Sequence, residues 1–171
     1  MIQTRCYKYH LPNGRTLDVL AEVILEISLW LQVAPDAPES GGYIIGYQHS
    51  RTGCITLELV TTPYPNDIRT RIRCNLLDDA HFAFLEKVKP YCSYYMGAWH
   101  THPQKHPTPS GIDWDDWYAT IEANKTSSGY IFFLIAGTKS FGIWAGDINS
   151  KKISKLDECY MEYGLYTVKF P

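Results

Sequence analysis

Residues 94–103, Tyr94-Tyr95-Met96-Gly97-Ala98-Trp99-His100-Thr101-His102-Pro103, carry an apolar run that ends on two histidines spaced two apart. The run reads as a β-strand continuing straight into the histidines. Residues i and i+2 of a strand point to one side, so His100 and His102 aim both imidazoles at one place. Residues 103–109 (PQKHPTP) are proline at three of seven positions and cannot be regular structure. Ser110 then opens a helix to about residue 124. Ser110-Gly111-Ile112-Asp113 has the spacing of a capping box with Asp in place of Glu, and Trp114, Trp117, Tyr118 and Ile121 share one face.

Outward from this stretch, strands and helices are mixed. Residues 129–137 (GYIFFLIAG) predict a central strand, apolar on both faces. Thr138-Lys139-Ser140 turns it, and residues 141–148 return. Beyond 150, Ile153, Leu156 and Tyr160 suit a short helix, whereas Tyr166, Val168 and Phe170 alternate like a strand. On the N-terminal side, Asn75 caps a helix predicted over about 76–89, with Leu77, Phe84, Leu85 and Val88 as its apolar stripe. Residues 68–74 (IRTRIRC) alternate, which predicts one strand with Arg69, Arg71 and Arg73 on a single face. That face is either solvated or a ledge for an acidic or carbonyl-rich segment. Residues 43–48 predict a buried strand entered through Gly41-Gly42, and residues 54–61 its antiparallel partner. Leu20, Val23, Ile24, Ile27 and Leu31 predict a helix over about 19–33, capped by Asp18 and ended by Pro35 and Pro38. Residues 3–11 and 15–18 read as strands joined at Asn13-Gly14. Strands mixed with three helices indicate an α/β fold in two or three layers.

The chain of 171 residues is 45% hydrophobic and 20% charged, which fits one domain, residues 1–171, with a sizeable core. A formal net charge of -2 gives no electrostatic reason to expect nucleic acid or an anionic membrane as partner. No run approaches the roughly 20 apolar residues of a membrane span, and the N-terminus MIQTRCYKYH has no apolar signal region. Five cysteines without a CxxC pair read as reduced thiols of a cytoplasmic protein.

The chemistry gathers at the histidines. Two imidazoles on one strand face and the Asp113 carboxylate offer three ligands. Zinc with three protein ligands keeps a fourth position open, the mark of a catalytic site. The prolines stiffen the loop between ligands, and Ser110 brings a hydroxyl close by. Amide hydrolysis also needs a group that takes a proton and delivers it to the departing amine. Glu39, at the mouth of the Gly41-Gly42 strand, is the candidate; Glu22, Glu26, Glu58 and Glu86 compete from within predicted elements.

The set Glu39, His100-Thr101-His102, Ser110 and Asp113 resembles the JAMM motif of the JAB/MPN metalloprotease family, as do Glu39-Ser40-Gly41-Gly42-Tyr43-Ile44-Ile45-Gly46 and Trp99-His100-Thr101-His102-Pro103. The resemblance runs from about residue 17 to 148. It implies a cytidine-deaminase-like α/β fold, a central mixed sheet flanked by three helices. It implies one Zn2+ per chain on His100, His102 and Asp113, with Glu39 as general base and acid and Ser110 as oxyanion stabiliser. The chain is most similar to small bacterial JAB deconjugases of CBASS anti-phage operons. That likeness implies an isopeptidase freeing a CD-NTase C-terminal tail from target lysines after conjugation by a ubiquitin-transfer-like (E1/E2-like) enzyme. Two alternatives stay open: a peptidase that processes a ubiquitin-like or sulfur-carrier precursor, and a non-catalytic MPN scaffold. The substrate tail is expected to lie extended against an edge strand, with Arg69, Arg71, Arg73 and the loop 63–67 as its grip.

Overall fold

The computed structural model describes residues 2–166, with side chains placed for residues 4–157. A first hairpin of β1 (Ile2–His10) and β2 (Thr16–Leu20) runs into α1 (Ala21–Ser28). β3 (Gly41–Gln48) and β4 (Ile55–Val60) form a second hairpin, and the short strands β5 (Ile68–Thr70) and β6 (Arg73–Asn75) a third. There follow α2 (Ala80–Val88), β7 (Tyr94–Thr101), α3 (Gly111–Ala123), β8 (Tyr130–Ala136), β9 (Phe141–Asp147), β10 (Ile153–Lys155) and β11 (Glu158–Tyr166). Nine strands make one sheet in the order β10-β9-β8-β7-β3-β4-β2-β1-β11, and β5 and β6 form a separate two-stranded sheet. The large sheet is mixed, because β2–β4 and β7–β8 pair parallel while its other pairs are antiparallel. With three helices against it, this is the α/β arrangement expected from the sequence. Among the described residues, no helix is long and apolar enough to cross a membrane.

Alternation along β8 explains how both faces are covered. Phe132, Leu134 and Ala136 join one core with Val23 and Ile27 of α1. Ile131, Phe133 and Ile135 join another with Trp117 and Ile121 of α3. The helices α1 and α3 therefore lie on opposite faces of the sheet. Each large side chain buried in this way contributes about 1.5–3 kcal/mol.

The β3–β7 pairing holds one irregularity. Ile44 pairs with Gly97 and Ile45 with Tyr95, so Met96 is an extra residue, a β-bulge. Gly97 takes φ +152 there, and a Cβ at this position would meet the Phe132 carbonyl at 1.7 Å. The bulge places Met96 in the core under α1 and Tyr95 against the core under α3.

Several local expectations are corrected. Asp18 does not cap α1; it lies in β2 and pairs with Lys8 at 2.9 Å, and α1 begins without a side-chain cap. The helix also ends at Ser28, well before Pro35, where the Ser28 hydroxyl donates to the Leu25 carbonyl at 2.6 Å. Asn75 does not cap α2, because it lies in β6; the Asp78 carboxylate accepts the Ala80 N–H at 2.9 Å instead. Leu77 precedes the helix and is 59% exposed. Residues 68–74 are not one strand but the β5–β6 hairpin, so Arg69, Arg71 and Arg73 do not share a face. Its turn uses the Thr70 hydroxyl, which accepts the Ile72 N–H at 3.4 Å, in place of Gly, Pro or Asn. Past residue 150 the short helix is replaced by β10 and β11; Tyr166 lies in β11, whereas Val168 and Phe170 lie outside the described residues.

Candidate metal centre and active site

β3 and β7 run antiparallel with Gly41 opposite His100, and the Thr101 N–H donates to the Ser40 carbonyl at 2.9 Å. Glu39 therefore comes next, opposite His102. Side chains opposite each other in a pair share a face, and those two apart along a strand do too. Glu39, His100 and His102 thus emerge on the same side, the side of α3. The close approach needs Gly42. Above it the Trp99 indole N–H donates to the Thr61 carbonyl at 2.9 Å, and a Cβ on residue 42 would meet that carbonyl oxygen at 1.9 Å.

Beyond β7 the proline loop is tied down. Thr138 N–H donates to the Gln104 carbonyl at 2.8 Å, Ser140 N–H to the Lys105 carbonyl at 3.1 Å, and His106 meets the Ser140 hydroxyl at 2.9 Å. The loop delivers α3 with its capping box formed. Ser110 Oγ accepts the Asp113 N–H at 3.2 Å, and Asp113 Oδ2 accepts the Ser110 N–H at 2.6 Å. Because Ser110 Oγ accepts there, its own proton remains free to donate elsewhere.

The three expected ligands converge. His100 Nε2 and His102 Nε2 are 3.1 Å apart; His100 Nε2 lies 3.0 Å from Asp113 Oδ1, and His102 Nε2 lies 3.4 Å from Asp113 Oδ2. Among the described residues these three form the group of metal-ligating side chains close enough to hold one ion. A tetrahedral zinc site with bonds of about 2.0–2.1 Å spaces its ligands about 3.3 Å apart, so the donor set fits such an ion. The orientation of His102 is set from outside: its Nδ1 meets Gln104 Oε1 at 3.2 Å, which leaves Nε2 facing inward.

Glu39 is 8% exposed and lines the same cleft, of about 380 Å³, as His100, His102, Ser110 and Asp113. Burial pushes its carboxyl above the ordinary glutamate value, against the pull of His100 and His102 and of the Cys74 N–H that it accepts. Burial works the same way on Asp113, but its bonds to His100 and His102 win and hold it well below the usual carboxylate range. Burial opposes charge on His102; the bond to Asp113 outweighs it, and the imidazole is raised.

The arginines separate. Arg71 and Arg73 line the cleft from the β5–β6 hairpin, and Arg73 Nη2 lies 3.9 Å from Asp116 Oδ2. Arg69 turns inward: its Nε donates to the Glu39 carbonyl at 2.9 Å, its Nη2 donates to the Ser40 hydroxyl, and it stacks on Trp30 at 5.4 Å. Sequence reading passed over Gln104 and the Cys74 N–H. Nothing local marks either one, since each acts through a contact that only the fold creates. His106 is exposed and stands outside the ligand group.

Similarity to known proteins points the same way. A CD-NTase/cGAS isopeptidase of Escherichia coli is 30% identical over 144 residues, which covers 81% of this chain and 85% of that protein. One of Vibrio cholerae is 27% identical over 131 residues, 75% of this chain and 79% of its own length. One of Pseudomonas aeruginosa is 29% identical over 109 residues, 61% of this chain and 68% of that protein. The family of prokaryotic homologs of the JAB domain matches residues 21–148, from the first residue of α1 to just past β9. That span holds β3, β7 and α3, and the chain belongs to the Prok-JAB family.

Proposed function

We propose that this protein is a zinc-dependent isopeptidase that hydrolyses the bond between a protein C-terminus and a target lysine. The observation that carries the reading is the convergence of His100, His102 and Asp113 in one cleft with the buried Glu39. His100, His102 and Asp113 would hold the ion. Zinc bound there supplies Lewis acidity toward a carbonyl oxygen and toward water. Glu39 takes the proton of the attacking water and passes it to the departing lysine amine, so water adds across the amide and leaves a carboxylate and a free amine. The Ser110 hydroxyl donates to the oxyanion that forms on the carbonyl. No covalent intermediate with the chain is needed, so the cysteines have no part.

The names of the relatives, CD-NTase/cGAS isopeptidases, support a CD-NTase as the released partner; on this reading its C-terminal tail is attached beforehand by an E1/E2-like enzyme, in bacterial anti-phage defence. Four free cysteines among the described residues suit the cytoplasm. Arg71 and Arg73 grip the tail at the cleft, whereas Arg69 is occupied behind Glu39. Reversing Arg71 and Arg73 to Glu should raise KM with little change in kcat; unchanged kinetics reject their role.

Glu39→Ala tests the whole reading. The variant should keep zinc and bind conjugate without turning it over, so that the conjugate co-purifies. Wild-type protein that binds no zinc, or a Glu39→Ala variant that still cleaves, would falsify it. Lysine-linked and linear fusions compared side by side report which bond is cut.

A further inference from the structure

We infer that Gln32 is a positioning residue that locks the Glu39 segment to the strand carrying the two histidine ligands. The inference rests on the reading of Glu39 as proton carrier. Gln32 follows α1 and is 2% exposed, although a side chain of its type is ordinarily at the surface. Its Nε2 donates to the Ala37 carbonyl at 3.1 Å and to the Arg71 carbonyl at 2.9 Å. Its Oε1 accepts from the Thr101 hydroxyl at 3.0 Å. The orientation of the carboxamide is fixed by these partners, since the reverse would face its oxygen to two carbonyls.

Thr101 continues the chain of contacts. It stands between His100 and His102, is fully buried, and faces away from them toward α1. Its hydroxyl accepts the Ser40 N–H at 3.0 Å while its own N–H donates to the Ser40 carbonyl at 2.9 Å. One step further, Glu39 N–H donates to the Thr70 carbonyl at 2.8 Å, and Arg69 and Cys74 hold its carbonyl and carboxylate. The β5–β6 hairpin therefore holds the glutamate, Thr101 belongs to the ligand strand, and Gln32 bonds to both. Its partners lie 39 and 69 residues away in the chain. Any buried carboxamide needs partners; what marks this one is that its partners belong to the segment before Glu39, the hairpin behind it and the ligand strand.

A pair of variants reads this out. Gln32→Met keeps the volume and removes the bonds; Thr101→Val breaks the same chain from its other end. Amide hydrogen exchange should quicken in segments 37–42 and 69–75 and stay unchanged in β8. On a lysine-linked isopeptide conjugate, kcat should fall about 10–100-fold with KM within about threefold, the scale of lost supporting contacts at such sites. The double variant should be no worse than the more damaged single one, because both cut one chain. If Gln32→Met does not fold, Thr101→Val decides by the same readings. Exchange that stays at the wild-type rate in both segments, or that rises equally in β8, overturns the inference. A wild-type chain that neither binds zinc nor cleaves would end the isopeptidase reading instead, and exchange would still judge the lock.

Discussion

Gln104 is exposed, yet its carboxamide oxygen touches His102 Nδ1 at 3.2 Å and accepts the Thr108 N–H at 2.9 Å. It fixes which imidazole nitrogen faces Asp113 and the proposed ion. Gln104→Ala should weaken zinc binding by about 10–100-fold in a chelator competition, while Gln104→Glu, which keeps an acceptor, should not; equal affinities in both would deny the contact a role. A second pair of residues predicts pH dependence. Burial first, and then the charges of Glu39 and Asp67, push the Cys74 thiol up to about 12. Side-chain bonds to Thr16 and Thr52 lower Cys54 below its ordinary value. A raised thiol stays protonated, and only the thiolate is nucleophilic. Raising pH from 7 to 9 should therefore speed iodoacetamide labelling of Cys54 and leave Cys74 unlabelled, as followed by peptide mass spectrometry. At this scale the sequence singled out Glu39, His100, His102, Ser110 and Asp113 by type and spacing, and the fold lines one cleft with all five. The sequence was a poor guide to Arg69, whose guanidinium is claimed by a carbonyl 30 residues away.

The helix α3 starts on a cap that shares its atoms with the site. Ser110 holds the Asp113 N–H, and Asp113 holds both histidines, so one turn of helix carries the cap and, on the proposed reading, the chemistry together. The two duties can be parted. Ser110→Ala should lower unfolding stability by about 1 kcal/mol through the lost cap and cut kcat by about 10²–10³ through the lost oxyanion donor. Ser110→Asp keeps a capping oxygen without a donor at neutral pH; it should recover stability in urea titration but not turnover. A variant that recovered both would assign Ser110 to the cap alone. This element was legible because a capping box is a local pattern. The β5–β6 hairpin was not: residues 68–74 alternate like a single strand, and the turn lacks the residues that advertise one. The ends of α1 and α2 were misjudged for a related reason, since Asp18 and Asn75 have capping side chains that other partners take up.

At the scale of the whole molecule, the order of the sheet decides that Glu39 meets His102, and no local pattern encodes it. β7 pairs with β3, more than fifty residues earlier, and with β8, across α3. What the sequence did show was composition by layer: a strand apolar on both faces must lie inside. Gly42 is where the global pairing is tightest. Gly42→Ala would drive a methyl onto the Thr61 carbonyl and the Trp99 indole. It should cost about 3 kcal/mol of stability, at the upper end for overpacking, and should weaken zinc binding by parting β3 from β7. Gly111→Ala meets nothing within 4 Å and should be neutral or stabilising in the same melts. A Gly42→Ala variant as stable as wild type would mean that the strands can separate without loss.

The bulge at Met96 also has a bearing on how this chain can change its length. Side chains in a strand alternate strictly, so one residue gained or lost turns everything beyond it to the opposite face. With Met96 in place, Tyr95 packs toward α3 and His100 and His102 point the same way. Tyr95 and His100 are five residues apart and share a face only because Met96 is the extra residue; its deletion would leave β3 and β7 in an unbroken ladder with the two four apart, so both would keep their face. The bulge is thus one residue of slack: the strand can give up Met96 and still present His100 and His102 to the α3 side, at the cost of the packing that Met96 supplies to the core under α1.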